Sequence, residues 1–200
     1  MKPIQLGITG GIGSGKSVVC RILETMGFPV YDADTEAKKI LLEAEASSKI
    51  KKLLGEKAYL PDGSPDRKYM ADCIFSEPAL RNAINEIIHP LVRKHYHNWV
   101  AKNSDASIVV KEAAIMFESG AYVDMDFIAA VVAPLELRKN RIRKRDQKSD
   151  EAIENIIASQ LPEKELVEQS DFVIHNDEKQ LLHTQILQML DKIQSEKKLR

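Results

Sequence analysis

The sequence predicts an α/β domain, a five-stranded parallel sheet flanked by helices, and three observations carry that reading. Ile4, Leu6 and Ile8 alternate as a strand requires, and a glycine-rich loop separates them from Val18, Val19, Ile22 and Leu23 at helical spacing. Apolar runs recur at Ile108-Val109-Val110 and from Phe127 to Ala133, as in strands buried on both faces. Between and after them the periodicity is helical, so strands and helices alternate along the chain.

The glycine-rich loop is the most informative element. Residues 10–17 fit G-x-x-x-x-G-K-[ST], the phosphate-binding loop of nucleotide triphosphatases and kinases, in the strand–loop–helix setting that the motif requires. Gly11, Ile12, Gly13, Ser14 and Gly15 supply backbone N–H groups that close around phosphate, and the helix N-terminus behind them adds partial positive charge. Lys16 reaches the β- and γ-phosphates and the Ser17 hydroxyl ligates Mg²⁺. A nucleoside triphosphate with Mg²⁺ is therefore expected, and the motif is silent about the acceptor.

Bulk properties exclude several classes. The 200 residues suffice for one α/β domain with insertions. A net charge of −1 provides no global field to recruit nucleic acid or membrane. Cys20 and Cys73 match no metal or redox spacing and read as reduced thiols. No apolar run approaches the ~20 residues needed to span a bilayer, and Met1-Lys2-Pro3 leads directly into a strand with no room for a signal peptide. A soluble cytoplasmic protein without nucleic-acid or membrane partners is expected.

In chain order, a helix runs to about Met26 and Gly27 ends it. Phe28 to Tyr31 reads as a second strand, closed by Asp32-Ala33-Asp34. Two carboxylates two residues apart at a strand's carboxyl end suit a general base and a group near Mg²⁺. Equally, Asp34 is placed to cap a helix beginning near Thr35. Residues 35–104 are mostly helical in pattern, interrupted at Gly55 and at the turn-rich residues 61–65, with Pro78 and Pro90 marking starts or kinks. In a kinase such an insertion holds the acceptor. His89, His95 and His97 fit no zinc set. His89 and Arg93 share a helix face if Pro90 occupies a first turn, either as an anion-binding pair or as part of a solvated face.

The third strand leads into residues 111–118, where Glu112 and Glu118 stand near the position of the acidic strand end that assists Mg²⁺ in many enzymes with this loop. Pro134 ends the fourth strand. Arg138, Arg141 and Arg145 then fall at i, i+3 and i+7 on one helix face, suited to phosphate and to transition-state charge, or simply solvated. A second helical pattern from Asp150 to about Glu168 completes a lid. The stretch from Ser170 to Asn176 is the fifth strand, with Asn176 at the ligand-facing end as an adenine contact or as a turn residue. The last helix packs Leu182, Ile186, Met189, Leu190 and Ile193 on the sheet, and residues 194–200 read as a frayed tail.

Taken together the pieces resemble the dephospho-CoA kinase family over nearly the whole length. The marks are Gly-Ile-Thr-Gly-Gly-Ile-Gly-Ser-Gly-Lys-Ser at 7–17, Asp32-Ala33-Asp34, Ile88 to Arg93, Met116 to Gly120, Arg145-Asp146, the helix ending Ala158-Ser159-Gln160, and Ser170 to Asn176. The resemblance implies a single P-loop kinase domain with a core at 1–34, 105–135 and 169–200, a helical acceptor insertion at 35–104 and a lid at 136–168. It implies transfer of phosphate from ATP, with Mg²⁺, to the ribose 3′-hydroxyl of dephospho-CoA, the last step of coenzyme A synthesis. Asp34 matches the proposed base, Lys16 the phosphate-binding lysine, Arg141 and Arg145 the lid arginines, while His89 and Arg93 fall in the acceptor region. By its place at the end of the second strand, Asp32 is expected to join Ser17 at the metal. The sequence departs at 112–115, where Glu112 and Ala113-Ala114 replace the usual Asp and Pro. Another small-molecule kinase with a nucleoside or sugar acceptor is the alternative; a GTP switch lacks its N-K-x-D.

Overall fold

The computed structural model describes residues 2–147 and 149–197. It contains five strands, β1 (Ile4–Thr9), β2 (Val30–Asp32), β3 (Ile108–Glu112), β4 (Phe127–Val132) and β5 (Phe172–His175), in the order β2-β3-β1-β4-β5. β1 runs parallel to both β3 and β4, and β5 parallel to β4. All six residues of β1 are buried. The alternation of its larger apolar side chains reports which face they point to, because both faces are covered. β2 begins two residues later than its sequence pattern suggests, since the Phe28 N–H still belongs to the helix exit and donates to Leu23 O at 3.1 Å.

One sheet face packs against α1 (Lys16–Thr25) and α9 (Leu182–Lys197). Val19, Cys20 and Leu23 from α1 and Ile186, Met189 and Ile193 from α9 meet Leu6, Ile8, Val110, Val131 and Ile174 there. The other face carries Ala130 and Val132 against Leu166 of α8 (Glu163–Glu168). Between β4 and α8 lie α6 (Leu135–Asp146) and α7 (Asp150–Ala158). The single helix expected over 150–168 is thus two. Pro162 disfavours helical backbone at Leu161 and caps α8 instead. α9 continues through Lys197, past the fraying expected from 194, with Ile193 fully buried. Residues 198–200 of that tail, with Met1 and Lys148, lie outside the described residues.

Residues Asp32–Lys102 form a second compact unit. It holds α2 (Ala33–Ile40), α3 (Ala44–Leu54), a 3₁₀ turn at Glu56–Ala58, α4 (Arg67–Ser76) and α5 (Ala79–Lys102). The 24-residue α5 is its spine, touching α2, α3 and α4. Pro90 sits inside α5, not in a first turn. An interior proline costs about 3 kcal/mol, and the burial of Ile88, Val92, Tyr96 and Val100 along one stripe offsets it. Among the described residues no helix is long and apolar enough to cross a membrane.

Candidate active site

Because β1 is central, its carboxyl end delivers the loop 10–17 to the middle of the sheet edge. The loop's shape is set by side chains that take its carbonyls. Lys16 Nζ donates to Gly10 O at 2.8 Å, Arg138 Nε to Ile12 O at 3.0 Å, and Asn176 Nδ2 to Ser14 O at 2.8 Å. Arg141 Nη1 donates to Gly13 O at 3.3 Å and to Ser14 O at 3.4 Å. Among the described residues no peptide bond is cis. In a planar trans peptide the C=O and the following N–H point in opposite directions. Pulling the carbonyls of residues 10, 12, 13 and 14 toward these donors turns the N–H groups of Gly11, Gly13, Ser14 and Gly15 the other way. Ser14 N–H closes the loop on Gly11 O at 3.1 Å. The remainder point where a polyanion is held.

Glycine leaves room where these donors crowd the backbone. A Cβ on Gly11 would run into the Arg138 guanidinium, and one on Gly15, at φ +97°, into the Asn176 amide. The fully buried hydroxyls Thr9 Oγ1 and Ser14 Oγ have no hydrogen-bond partner among the described residues, so the end of β1 and the loop carry spare donors. Ser17 is exposed in the first turn of α1. Glu112, ending β3, hydrogen-bonds the Cys20 thiol; burial first, and this carboxylate second, push the thiol far above its usual pKa.

The three arginines of α6 divide. Arg138 is buried and its Nη1 meets Glu163 at 3.3 Å. Arg141 reaches Asn176 O at 3.2 Å and Glu178 at 3.1 Å besides the loop. Its donors therefore grip loop carbonyls, not the space where phosphates were expected to meet it. Arg145 forms two bonds to Asp146, at 2.7 and 2.9 Å, and stays exposed. Asn176, read as an adenine contact or a turn residue, clamps the loop through its side-chain amide. Sequence reading gave no role to Gln160, whose Oε1 accepts the Ile12 N–H at 2.8 Å across 148 residues, and none to Arg138 beyond its place on the helix face.

In the second unit Asp32, not Asp34, caps α2. Its Oδ1 accepts the Thr35 N–H at 2.9 Å and its Oδ2 the Thr35 hydroxyl at 2.6 Å. The helix starts two residues earlier than expected, which places Asp34, exposed, in its first turn. His89 is half-buried, and burial lowers its pKa below 6.5, favouring the neutral imidazole. Arg93 lies one turn on and lines a shallow groove along α5 with Pro90, Lys94, His97 and Asn98.

The first unit thus carries a phosphate-binding loop on a parallel sheet, and the second is helical. The family model described as Dephospho-CoA kinase matches residues 4–181. The chain belongs to the dephospho-CoA kinase family. A Bacteroides fragilis protein named Dephospho-CoA kinase is 40% identical over 188 residues, covering 94% of this chain and 91% of that one. Among solved structures, a Thermus thermophilus protein superposes with a TM-score of 0.83 at 30% identity, covering 98% of both chains. The dephospho-CoA kinase of Campylobacter jejuni does so with a TM-score of 0.69 at 26% identity, covering 94% of this chain and 96% of its own. The fold is that of a P-loop kinase, and family membership makes the protein an ATP-dependent kinase.

Proposed function

We propose that the protein transfers the γ-phosphoryl group of ATP to the ribose 3′-hydroxyl of dephospho-CoA, releasing coenzyme A and ADP. The observation that carries this is the amide cradle of residues 10–17, held open by Lys16, Arg138, Arg141 and Asn176 in a chain of this family. Phosphoryl transfer asks for positioning and for cationic neutralisation of a loose transition state. Lys16 and the loop amides hold the β- and γ-phosphates. Ser17 offers a hard oxygen donor for Mg²⁺, which when bound neutralises phosphate charge. Among the described residues no cluster of three His, Cys, Asp or Glu forms a metal cage, consistent with a cation that arrives with the phosphates. Asp32 is engaged as a cap, so we take it out of direct metal ligation. Asp34 orients the acceptor hydroxyl and takes its proton late. Arg145, whose guanidinium is free of the loop, is the lid cation for the transferred group, and Arg141 maintains the cradle. Arg93, with neutral His89 as a hydrogen-bonding neighbour, holds acceptor phosphate. The free thiols of Cys20 and Cys73 suit a reducing compartment, and we place the enzyme in the cytoplasm.

The test is ADP formation with dephospho-CoA, nucleosides and sugars, with and without Mg²⁺. Turnover with dephospho-CoA alone, dependent on Mg²⁺, is expected; turnover only with a nucleoside or sugar overturns the acceptor. Asp34→Asn is expected to lower kcat by about 10²- to 10⁴-fold with ATP affinity retained. Near-normal turnover removes Asp34 from the role.

A further inference from the structure

One contact joins the phosphate loop directly to residues 159–163 and a second does so through Arg138, and the chemistry above does not use the direct one. The Ile12 N–H donates to Gln160 Oε1 at 2.8 Å, and Ile12 O accepts from Arg138, which also pairs with Glu163. The peptide groups on both sides of Ile12 are therefore oriented by side chains from outside the loop. In the Gly11–Ile12 peptide, an N–H aimed at Gln160 obliges the Gly11 carbonyl to point the opposite way. That is where it accepts the Ser14 N–H, the bond that closes the loop. In the Ile12–Gly13 peptide, Arg138 on the carbonyl turns the Gly13 N–H inward.

Gln160 is itself held firmly. It lies in the break between α7 and α8, where the next residue's N–H donates to Glu118 Oε1 at 3.1 Å and Pro162 stiffens the backbone. Behind the contact is a small cavity of about 60 Å³, lined by Gly11, Arg138, Gln160, Pro162 and Glu163 among others. Besides Gln160, the one side-chain acceptor lining that space is Glu163, whose Oε2 is engaged by Arg138 Nη1. If Gln160 withdraws, the Gly11–Ile12 peptide is released to rotate, and the closing bond to Ser14 loosens with it.

We propose that Gln160 is a positioning residue for the triphosphate: its amide oxygen fixes the Gly11–Ile12 peptide so that the loop amides converge on the phosphates. Binding of nucleotide and order in the α7–α8 segment are then coupled, and the coupling is reciprocal. This rests on the reading of residues 10–17 as a nucleotide site and is independent of which acceptor is used.

Gln160→Met keeps nearly the same volume and removes the acceptor oxygen; Gln160→Glu keeps an acceptor. ATP affinity is measured by titration calorimetry, KM for both substrates by steady-state kinetics, and the melting temperature without nucleotide. The methionine variant is expected to bind ATP about tenfold more weakly, the consequence of one lost hydrogen bond, with KM for dephospho-CoA unchanged. The glutamate variant is expected to bind ATP more tightly than the methionine variant despite its added charge. ATP affinity of the methionine variant within about twofold of the wild type overturns the proposal. So does equal weakening in both variants matched by equal loss of melting temperature, which marks a packing role. If the methionine variant does not fold, hydrogen exchange at the Ile12 amide of the ligand-free wild type decides: protection supports the proposal and free exchange overturns it. A wild type that binds no ATP refutes the nucleotide reading itself.

Discussion

The first two turns of α6 and its last turn carry the same side chain to opposite ends. Arg138 and Arg141 grip carbonyls of the phosphate loop, and Arg138 is only 6% exposed. Arg145 lies on the same face one turn further on, yet its side chain is 63% exposed and bonded to the residue beside it. Helical spacing decides that the three share a face. What each does depends on what stands opposite. A guanidinium fork facing a row of carbonyls out of water becomes part of the scaffold. The same fork facing solvent keeps its charge available, and its local ion pair is worth little.

Ranked by stability, the consequences separate the two regions. Arg138→Ala deprives Ile12 O of its donor and Glu163 of its partner. It is expected to cost about 1–3 kcal/mol of unfolding free energy, read by chemical denaturation; an unchanged midpoint breaks the contrast. Arg141→Ala removes several longer, partly exposed bonds, so about 1 kcal/mol is expected, together with a raised KM for ATP. Arg141→Lys rescues little, because a point charge cannot bridge the Gly13 and Ser14 carbonyls and Asn176 together. Arg145→Ala is expected to leave stability within about 0.5 kcal/mol while kcat falls by about 10²-fold, the order of one lost electrostatic donor. Destabilisation equal to that of Arg141→Ala erases the distinction.

Helix α5 repeats the contrast in miniature, with His89 half-buried and Arg93 exposed one turn on. Burial holds the folded pKa of His89 below its ordinary 6.5. As pH falls past that value the unfolded chain takes up a proton that the folded one resists, so stability present above pH 6.5 is lost on acidification. A small decline in melting temperature between pH 7 and 5.5 is expected, flattened in His89→Gln. A decline that survives the substitution assigns it to other groups.

The parts of the molecule that repeat or alternate could be read directly. The loop with its flanking strand and helix, the apolar run of β4 and the stripe of α9 all follow from local pattern. Contacts between a side chain and a distant backbone group leave no such trace. Gln160 to Ile12, Arg138 to Ile12 and Asn176 to Ser14 span 148, 126 and 162 residues, and nothing in a glutamine between two helices announces a loop amide. Where two local rules competed, packing or geometry chose. Asp32 and Asp34 are both good caps, and the extended backbone of Asp32 at the end of β2 gave it the position. Pro90 signals a helix start, yet the buried stripe of α5 runs straight through it.

Asn176 clamps the loop from 162 residues further along the chain, at the exit of β5, the last strand among the described residues. During translation, residues 10–17 emerge long before their final clamp exists. A nascent chain that has not yet delivered residue 176 has the complete phosphate-binding motif in its sequence but lacks the amide that locks Ser14. The clamp on Ser14 is thus completed late in biosynthesis, and the growing chain spends most of its elongation without it.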